Sequence, residues 1–336
     1  MSEWTSPITQ PFSGQKVPRY LHGTIPPMAT ACNADHTLDE KGIRSYTDFL
    51  IERQKADTLF VRGGVSKMWS FSYGEVKRIT DIVLDQTAGR RPVIIGCAGE
   101  WDNDLKNKPD PQEYTRQSIE LSNYAKERGA TASVLVLPSA LDAAPGKSLE
   151  DTIVDYYRMV AANIDPPIVL YRPGGTFAPG YEITPSLLRK LLTIEKIVGI
   201  KISSGDMVMF GRLALVAEGT NFAFVAGDER AYMYTMFVGA TGVIGRGCNT
   251  HPEILRAVYD RMMKRDFDGA RQAALDSVRA LEPSNGIDSG LSCLLYAARK
   301  GAQVQPHTKS PTKPITKEQM DHMERTLDAI RAKYLD

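Results

Sequence analysis

The sequence predicts a (β/α)8 barrel followed by a C-terminal helical extension. Three observations carry this reading. Eight short β-rich runs recur between residues 22 and 245, separated by stretches with helical patterning. Six of the runs are continuous Val/Ile/Leu/Phe segments without polar alternation, as strands covered on both faces require. The first run is followed by PPMATACNADH, which holds no glycine-rich phosphate or dinucleotide loop, so the competing doubly wound sheet lacks its signature.

In chain order the runs are HGTIPPMAT (22–30), TLFVRG (58–63), PVIIGC (92–97), ASVLVL (132–137), PIVLY (167–171), IVGIK (197–201), FAFVA (222–226) and TGVIG (241–245). The first and last are weaker, carrying prolines or glycines. Between the first two, residues 38–56 place Ile43, Tyr46, Leu50 and Ile51 at helical steps. Ser72-Tyr73-Gly74-Glu75 is a capping box that opens VKRITDIVLDQ. Residues 111–129 end in Lys, Arg and Gly, a helix stop. Residues 149–163 and 184–194 continue the series. Strand alternating with helix means parallel pairing, and eight repeats in about 225 residues suit a barrel.

After His251-Pro252 the pattern changes. Residues 252–300 and 316–334 read as helices joined by the turn-rich QPHTKSPTKP. The expected organisation is an N-terminal arm or disordered segment (1–21), the barrel (22–251) and a helical extension packed on it (252–336).

Composition narrows the function. The 336 residues carry 41 Lys+Arg against 40 Asp+Glu, a formal net charge of +1. Such a balance exerts no pull toward nucleic acid or an anionic membrane, so neither is expected as a partner. Cys32, Cys97, Cys248 and Cys293 are scattered, which argues against a disulfide framework or a zinc site and for a reducing cytoplasm. The five dispersed histidines form no metal set. The N-terminus lacks a charged start before an apolar core, and no apolar stretch approaches the ~20 residues that span a bilayer. A cytoplasmic enzyme without metal or cofactor is the expectation.

In such a barrel, chemistry gathers at the C-terminal ends of the strands. Lys201 closes the sixth run and Tyr171 the fifth, so both side chains can enter one mouth. An amine desolvated in an apolar cup favours its neutral form, and a neutral amine attacks a ketone to give an iminium, an electron sink for cleavage at the neighbouring carbon. A phenol on the adjacent strand supplies the proton shuttle. The plainer alternative is a snorkelling strand-end lysine beside a rim tyrosine. The second run ends in Arg62-Gly63-Gly64-Val65-Ser66-Lys67, whose glycine-rich turn can form an anion-binding nest. Ile244 lies next to the end of the eighth run. Arg172 and Arg246 are placed to bind an anionic substrate tail, or to pair with Asp228 or Glu229. Glu100-Trp101 either lines the mouth or packs under the C-terminal extension.

PPIVLYRPGG, thirty residues before VGIKISSGD, resembles the paired signature of the dihydrodipicolinate synthase/N-acetylneuraminate lyase family. Gly63 ahead of the capping Ser72, then RRPVIIGC, then AGDERAYMYTMFVGATGVIG keep the family's order and spacing. The resemblance implies a class I lyase on a (β/α)8 barrel, with Lys201 forming a Schiff base with a 2-oxo acid and Tyr171 donating and accepting protons. It also implies a homo-oligomer, a tetramer or dimer. Gly64, Val65, Ser66 and Ile244, with Arg172 and Arg246, are the expected substrate-binding residues.

The departures are as informative. Where the family usually reads Gly-Thr-Thr-Gly-Glu or Gly-Ser-Thr-Gly-Glu, this chain has Gly63-Gly64-Val65-Ser66-Lys67, without the two hydroxyls that grip the carboxylate. Ser66 supplies one only if the loop shifts. The synthases' arginine for the second substrate falls at Gly175, and their subunit-crossing tyrosine near Ser139-Ala140. The leading expectation is therefore a retro-aldol lyase of a 2-oxo acid that is not a true dihydrodipicolinate synthase. Alternatives are a dehydratase of a 2-keto-3-deoxy sugar acid through the same iminium, a non-catalytic oxo-acid-binding barrel, and a sugar-phosphate isomerase using Arg246.

Overall fold

The computed structural model of the chain describes residues 4, 6–10, 12–174 and 181–335. Its centre is one eight-stranded parallel sheet formed by β1 (Gly23–Thr24), β2 (Leu59–Val61), β3 (Val93–Gly96), β4 (Ala132–Val136), β5 (Ile168–Arg172), β6 (Ile197–Ile202), β7 (Ala223–Ala226) and β8 (Ala240–Val243). Neighbours run β1-β8-β7-β6-β5-β4-β3-β2. The seam between β1 and β2 is closed by a parallel bridge from Pro27 to Phe60. There Met28 N donates to Phe60 O at 2.8 Å and Phe60 N to Pro26 O at 3.1 Å. β1 is short because Pro26 and Pro27 have no N–H to continue a ladder. All eight runs read from the sequence are strands of this barrel.

Seven helices alternate with the strands: α1 (Glu40–Asp48, continued by a π-helical turn Phe49–Arg53), α2 (Tyr73–Thr87), α3 (Pro111–Glu127), α4 (Leu149–Ala162), α5 (Pro185–Leu191), α6 (Met207–Ala217) and α7 (Tyr232–Phe237). After β8 come α8 (Gly247–Thr250) and α9 (Pro252–Met263), then α10 (Phe267–Leu281), α11 (Ser289–Arg299) and α12 (Lys317–Arg331). The starts are chemically marked. Asp39, Ser72, Asp110, Ser148, Thr184 and Asp206 each accept a hydrogen bond from the amide three residues on. At Ser72 the reciprocal bond from its own amide to Glu75 completes the capping box.

Among the elements not anticipated, two stand out. An N-terminal hairpin pairs Pro7–Thr9 with Lys16–Pro18, and Gln10 donates to Ala240 O at 3.4 Å, fastening it to β8. The second is α6, MVMFGRLALVA, whose apolar residues run round the whole helix and leave no 3.6-residue period to read.

The C-terminal helices wrap back over the barrel. Residues 302–310 cross α1 and the first βα loop: Gln303 N donates to Ser45 Oγ of α1 at 2.8 Å, and in the loop Cys32 N donates to His307 O at 2.9 Å. The tail is held by Asp276, whose carboxylate is fully buried and accepts from Arg279 at 2.7 Å, Tyr334 at 2.9 Å and Lys333 at 3.2 Å. All four cysteines are buried and free. No helix among the described residues is long and apolar enough to cross a membrane.

Candidate active site

Strands β5 and β6 pair so that Tyr171 lies opposite Lys201. Both are buried, at 3% and 4% exposure. Lys201 Nζ sits 4.3 Å from the centroid of the Tyr171 ring and 5.3 Å from that of Phe60. The two rings meet edge to face, 5.9 Å apart at 88°. Among the described residues the amine has no carboxylate and no hydrogen-bond partner. A lysine enclosed by aromatic rings instead of acids is the setting in which lysines serve as nucleophiles.

Above this pair opens a cavity of about 450 Å³, within the range of small-molecule sites. It is lined by Lys201, Tyr171, Gly64, Val65, Ile244 and Arg246, together with Pro27, Ser203, Asp228, Glu229, Arg230, Leu281, Asn285 and Ser289. Ser66 and Arg172 are not on its wall. The Ser66 hydroxyl donates to Gly63 O at 2.8 Å and is consumed inside its own turn. The Arg172 guanidinium, one residue out of phase with Tyr171 on β5, donates to Pro173 O at 3.1 Å and Ser203 O at 3.0 Å.

The turn after β2 offers amides. Within it Ser66 N and Met68 N donate to Gly63 O, and Lys67 N to Gly64 O. The amides of Gly64 and Val65 have no acceptor among the described residues, so this pair is available to an anion in the cavity. Gly64 also passes close beneath the phenol. A Cβ there would lie 2.9 Å from Tyr171 Oη, so only glycine lets the turn and the phenol approach this closely. Lys67 ties the turn to the extension through Asp288 at 3.3 Å and Ser310 O at 3.4 Å.

Charges on the far wall are unequally satisfied. Asp228 takes Arg230 in a two-pronged pair at 2.8 and 2.6 Å. Glu229, 9% exposed, accepts from Gly247 N at 2.9 Å. Arg246 donates to Ser284 O at 3.2 Å and pairs with no carboxylate among the described residues. Behind it His251 is fully buried, and burial, then the charges of Arg246 and Arg331, push its pKa down to about 3.

Sequence reasoning missed several of these groups. Phe60 reads only as core within TLFVRG, and Arg62 only as the end of that run. Asn285 comes from the turn between α10 and α11 and Ser289 opens α11, and nothing in their local pattern announces a cavity wall. Glu100 and Trp101 are outside the cavity: the indole donates to Asp104 O and Asn107 O, and Glu100 accepts from Tyr73 N at 2.8 Å. Ser139 and Ala140 are buried away from it. Gly175 lies outside the described residues. No group of three His, Cys, Asp or Glu able to hold a metal occurs among the described residues.

The profile of the dihydrodipicolinate synthetase family matches residues 20–330. The chain is similar to 4-hydroxy-tetrahydrodipicolinate synthase of Haloarcula marismortui, 26% identical over 317 residues, covering 94% of this chain and 96% of that protein. It is 25% identical to the Methanospirillum hungatei synthase over 255 residues, 75% of this chain and 80% of that protein. Among solved structures it resembles YagE, a prophage protein of E. coli K12 determined with pyruvate, at a TM-score of 0.76 and 23% identity, covering 94% and 99% of the two chains. N-acetylneuraminate lyase from Mycoplasma synoviae superposes at a TM-score of 0.75 with 20% identity and the same coverage. At these identities the solved structures share the fold.

Proposed function

Since the chain belongs to the dihydrodipicolinate synthetase family, we propose that it is a Schiff-base lyase that cleaves a 2-oxo acid by a retro-aldol step. The observation that carries this reading is the buried Lys201 amine packed between the Tyr171 and Phe60 rings at the floor of the cavity. Lys201 Nζ attacks the C2 carbonyl, and Tyr171 passes a proton to the departing oxygen, so that water leaves and an iminium remains. The substrate carboxylate rests on the amides of Gly64 and Val65. Tyr171 then takes the proton of the C4 hydroxyl, the C3–C4 bond breaks, and its electrons flow into the iminium to give an enamine and a free aldehyde. Protonation at C3 and hydrolysis release pyruvate and restore the amine.

Two features argue against the synthase reaction proper. Positions 64 and 65 carry no hydroxyl, and Ser66 is turned into its own backbone. Arg246, facing the cavity without an acidic partner, is read as the contact for an anionic group at the substrate's far end, with Ile244 packing beside it. Arg172 is read as bracing the β5 and β6 loops, through its bonds to Pro173 O and Ser203 O. We place the enzyme in the cytoplasm, consistent with four free buried cysteines. We read it as a homo-oligomer, consistent with the exposed apolar Val208 and Leu215 of α6 and Tyr234 and Phe237 of α7.

Borohydride trapping with a panel of 2-oxo acids, read by mass spectrometry, tests the reading. A reduced adduct on Lys201 that disappears in Lys201→Ala is expected. No adduct with any 2-oxo acid, in a folded protein, refutes it. Release of an aldehyde with pyruvate identifies cleavage, whereas loss of water from an intact carbon skeleton identifies a dehydratase.

A further inference from the structure

Arg62 follows β2 immediately before the turn that offers its amides to the cavity, yet it does not line the cavity. It is 2% exposed and holds a left-handed backbone, φ 57°, unusual for a residue with a side chain. Its guanidinium donates through Nε to Met68 O at 3.1 Å, and through Nη1 to Gly96 O at 3.1 Å and Ala98 O at 2.6 Å. The first acceptor is at the far end of the 63–68 turn, and the other two are at the end of β3. Position 96 is itself constrained, because a Cβ there would come within 2.3 Å of Arg62 O.

All three acceptors are neutral carbonyls, and among the described residues Arg62 forms no ion pair. No carboxylate among the described residues is in contact with it, and burial holds its pKa below the ordinary arginine value although the charge of Glu100 favours the cation from a distance, a desolvation cost. A neutral donor would clamp the same carbonyls without it, so the charge calls for a reason of its own. The amides of Gly64 and Val65 supply one. They have no acceptor among the described residues, and they stand where the resembling family places two hydroxyls that this chain lacks.

We propose that Arg62 is the positioning residue for the substrate carboxylate: it clamps the 63–68 turn that carries the Gly64 and Val65 amides and holds a fixed buried positive charge at that turn's Met68 end, so that the site selects 2-oxo acids as anions. This rests on the lyase reading above. Arg62 compensates for the missing hydroxyls with charge instead of direct hydrogen bonds, and does so without touching the reacting atoms.

The test measures half-saturating concentrations of pyruvate and of its neutral methyl ester for borohydride trapping on Lys201. Wild-type protein is expected to prefer pyruvate by roughly tenfold or more. The preference persists at high salt, since a buried charge is weakly screened. Arg62→Gln and Arg62→Met lose most of that preference, with pyruvate weakened far more than the methyl ester, and Arg62→Lys keeps part of it. A purely structural clamp would weaken both ligands equally in these variants. A wild-type preference that collapses with salt overturns the inference by assigning the selection to exposed cations, and this arm decides even if the variants fail to fold. An Arg62→Gln protein with the wild-type ratio overturns it as well. Absence of any Lys201 adduct in the wild type is a different failure, that of the lyase reading itself.

Discussion

Replacing Gly64 by alanine sets a single methyl group against the phenol assigned to proton transfer. The new Cβ would stand 2.9 Å from Tyr171 Oη, about 0.6 Å inside an optimal contact of ~3.5 Å. Gly64 has no positive φ, so alanine meets no backbone strain there and the steric effect is isolated. The phenol cannot swing aside freely, because its ring is wedged edge to face against Phe60 and under the Lys201 amine. Either the turn or the phenol must give by about half an ångström. A displacement of 1 Å at a reacting group costs about 10²-fold, so half of that predicts a loss of roughly tenfold, ~1.4 kcal/mol. The assay is exchange of the pyruvate methyl hydrogens with solvent deuterium, followed by proton NMR, which needs the iminium and the proton shuttle but no second substrate. Exchange should fall roughly tenfold while borohydride still traps Lys201 to completion, and stability should fall by only ~1 kcal/mol from local overpacking. An exchange rate within about twofold of wild type, well inside the loss expected from that displacement, would refute the reasoning that the phenol and not the turn yields to the added methyl group.

Three further outcomes follow from particular contacts. Tyr171→Phe should slow the same exchange by roughly 10²- to 10⁴-fold yet leave Lys201 able to form an adduct; an unchanged rate assigns the shuttle elsewhere. Asp276→Ala removes a buried carboxylate that fastens Arg279, Lys333 and Tyr334; the two cations left behind are half exposed and can turn to water, so urea denaturation should show a loss of about 2 kcal/mol, with proteolysis concentrated after α12. His251 has a folded pKa pushed down to about 3 by burial and by Arg246 and Arg331, below the ordinary histidine value. The unfolded chain therefore binds the extra proton first, and stability present above about pH 6.5 is lost as pH falls from there toward the folded value, by ~1.4 kcal/mol per pH unit. His251→Asn should flatten that slope between about pH 6 and 4 in urea titrations; an unaltered slope means other groups control the acid limb.

Much of the molecule was legible because its determinants are local. Apolar runs with helices between them specify parallel strands covered on both faces, and the capping box at Ser72 marks where a helix begins. The Lys201–Tyr171 pair was legible for the same reason: both residues lie one short of the ends of consecutive strands, and parallel pairing sets them side by side. Side-chain direction was not. Ser66 and Arg172 sit at the right places along the chain, but a tight turn folds one onto Gly63 O and the pleat sends the other to Pro173 O and Ser203 O. Helix α6 escaped because a helix apolar on every face has no period to detect.

The sequence alone determined the barrel, its strand order and the two residues at its floor, since these depend on periodicity and on neighbouring strands. Only the tertiary structure decided what surrounds them: the Leu281–Ser289 wall brought back from the extension, the Phe60 ring under the amine, the Gly64 backbone pressed to the phenol, and the buried Arg62. Those contacts join residues dozens to hundreds of positions apart, and they are set by packing and by where each buried polar group finds a partner, which no local pattern encodes.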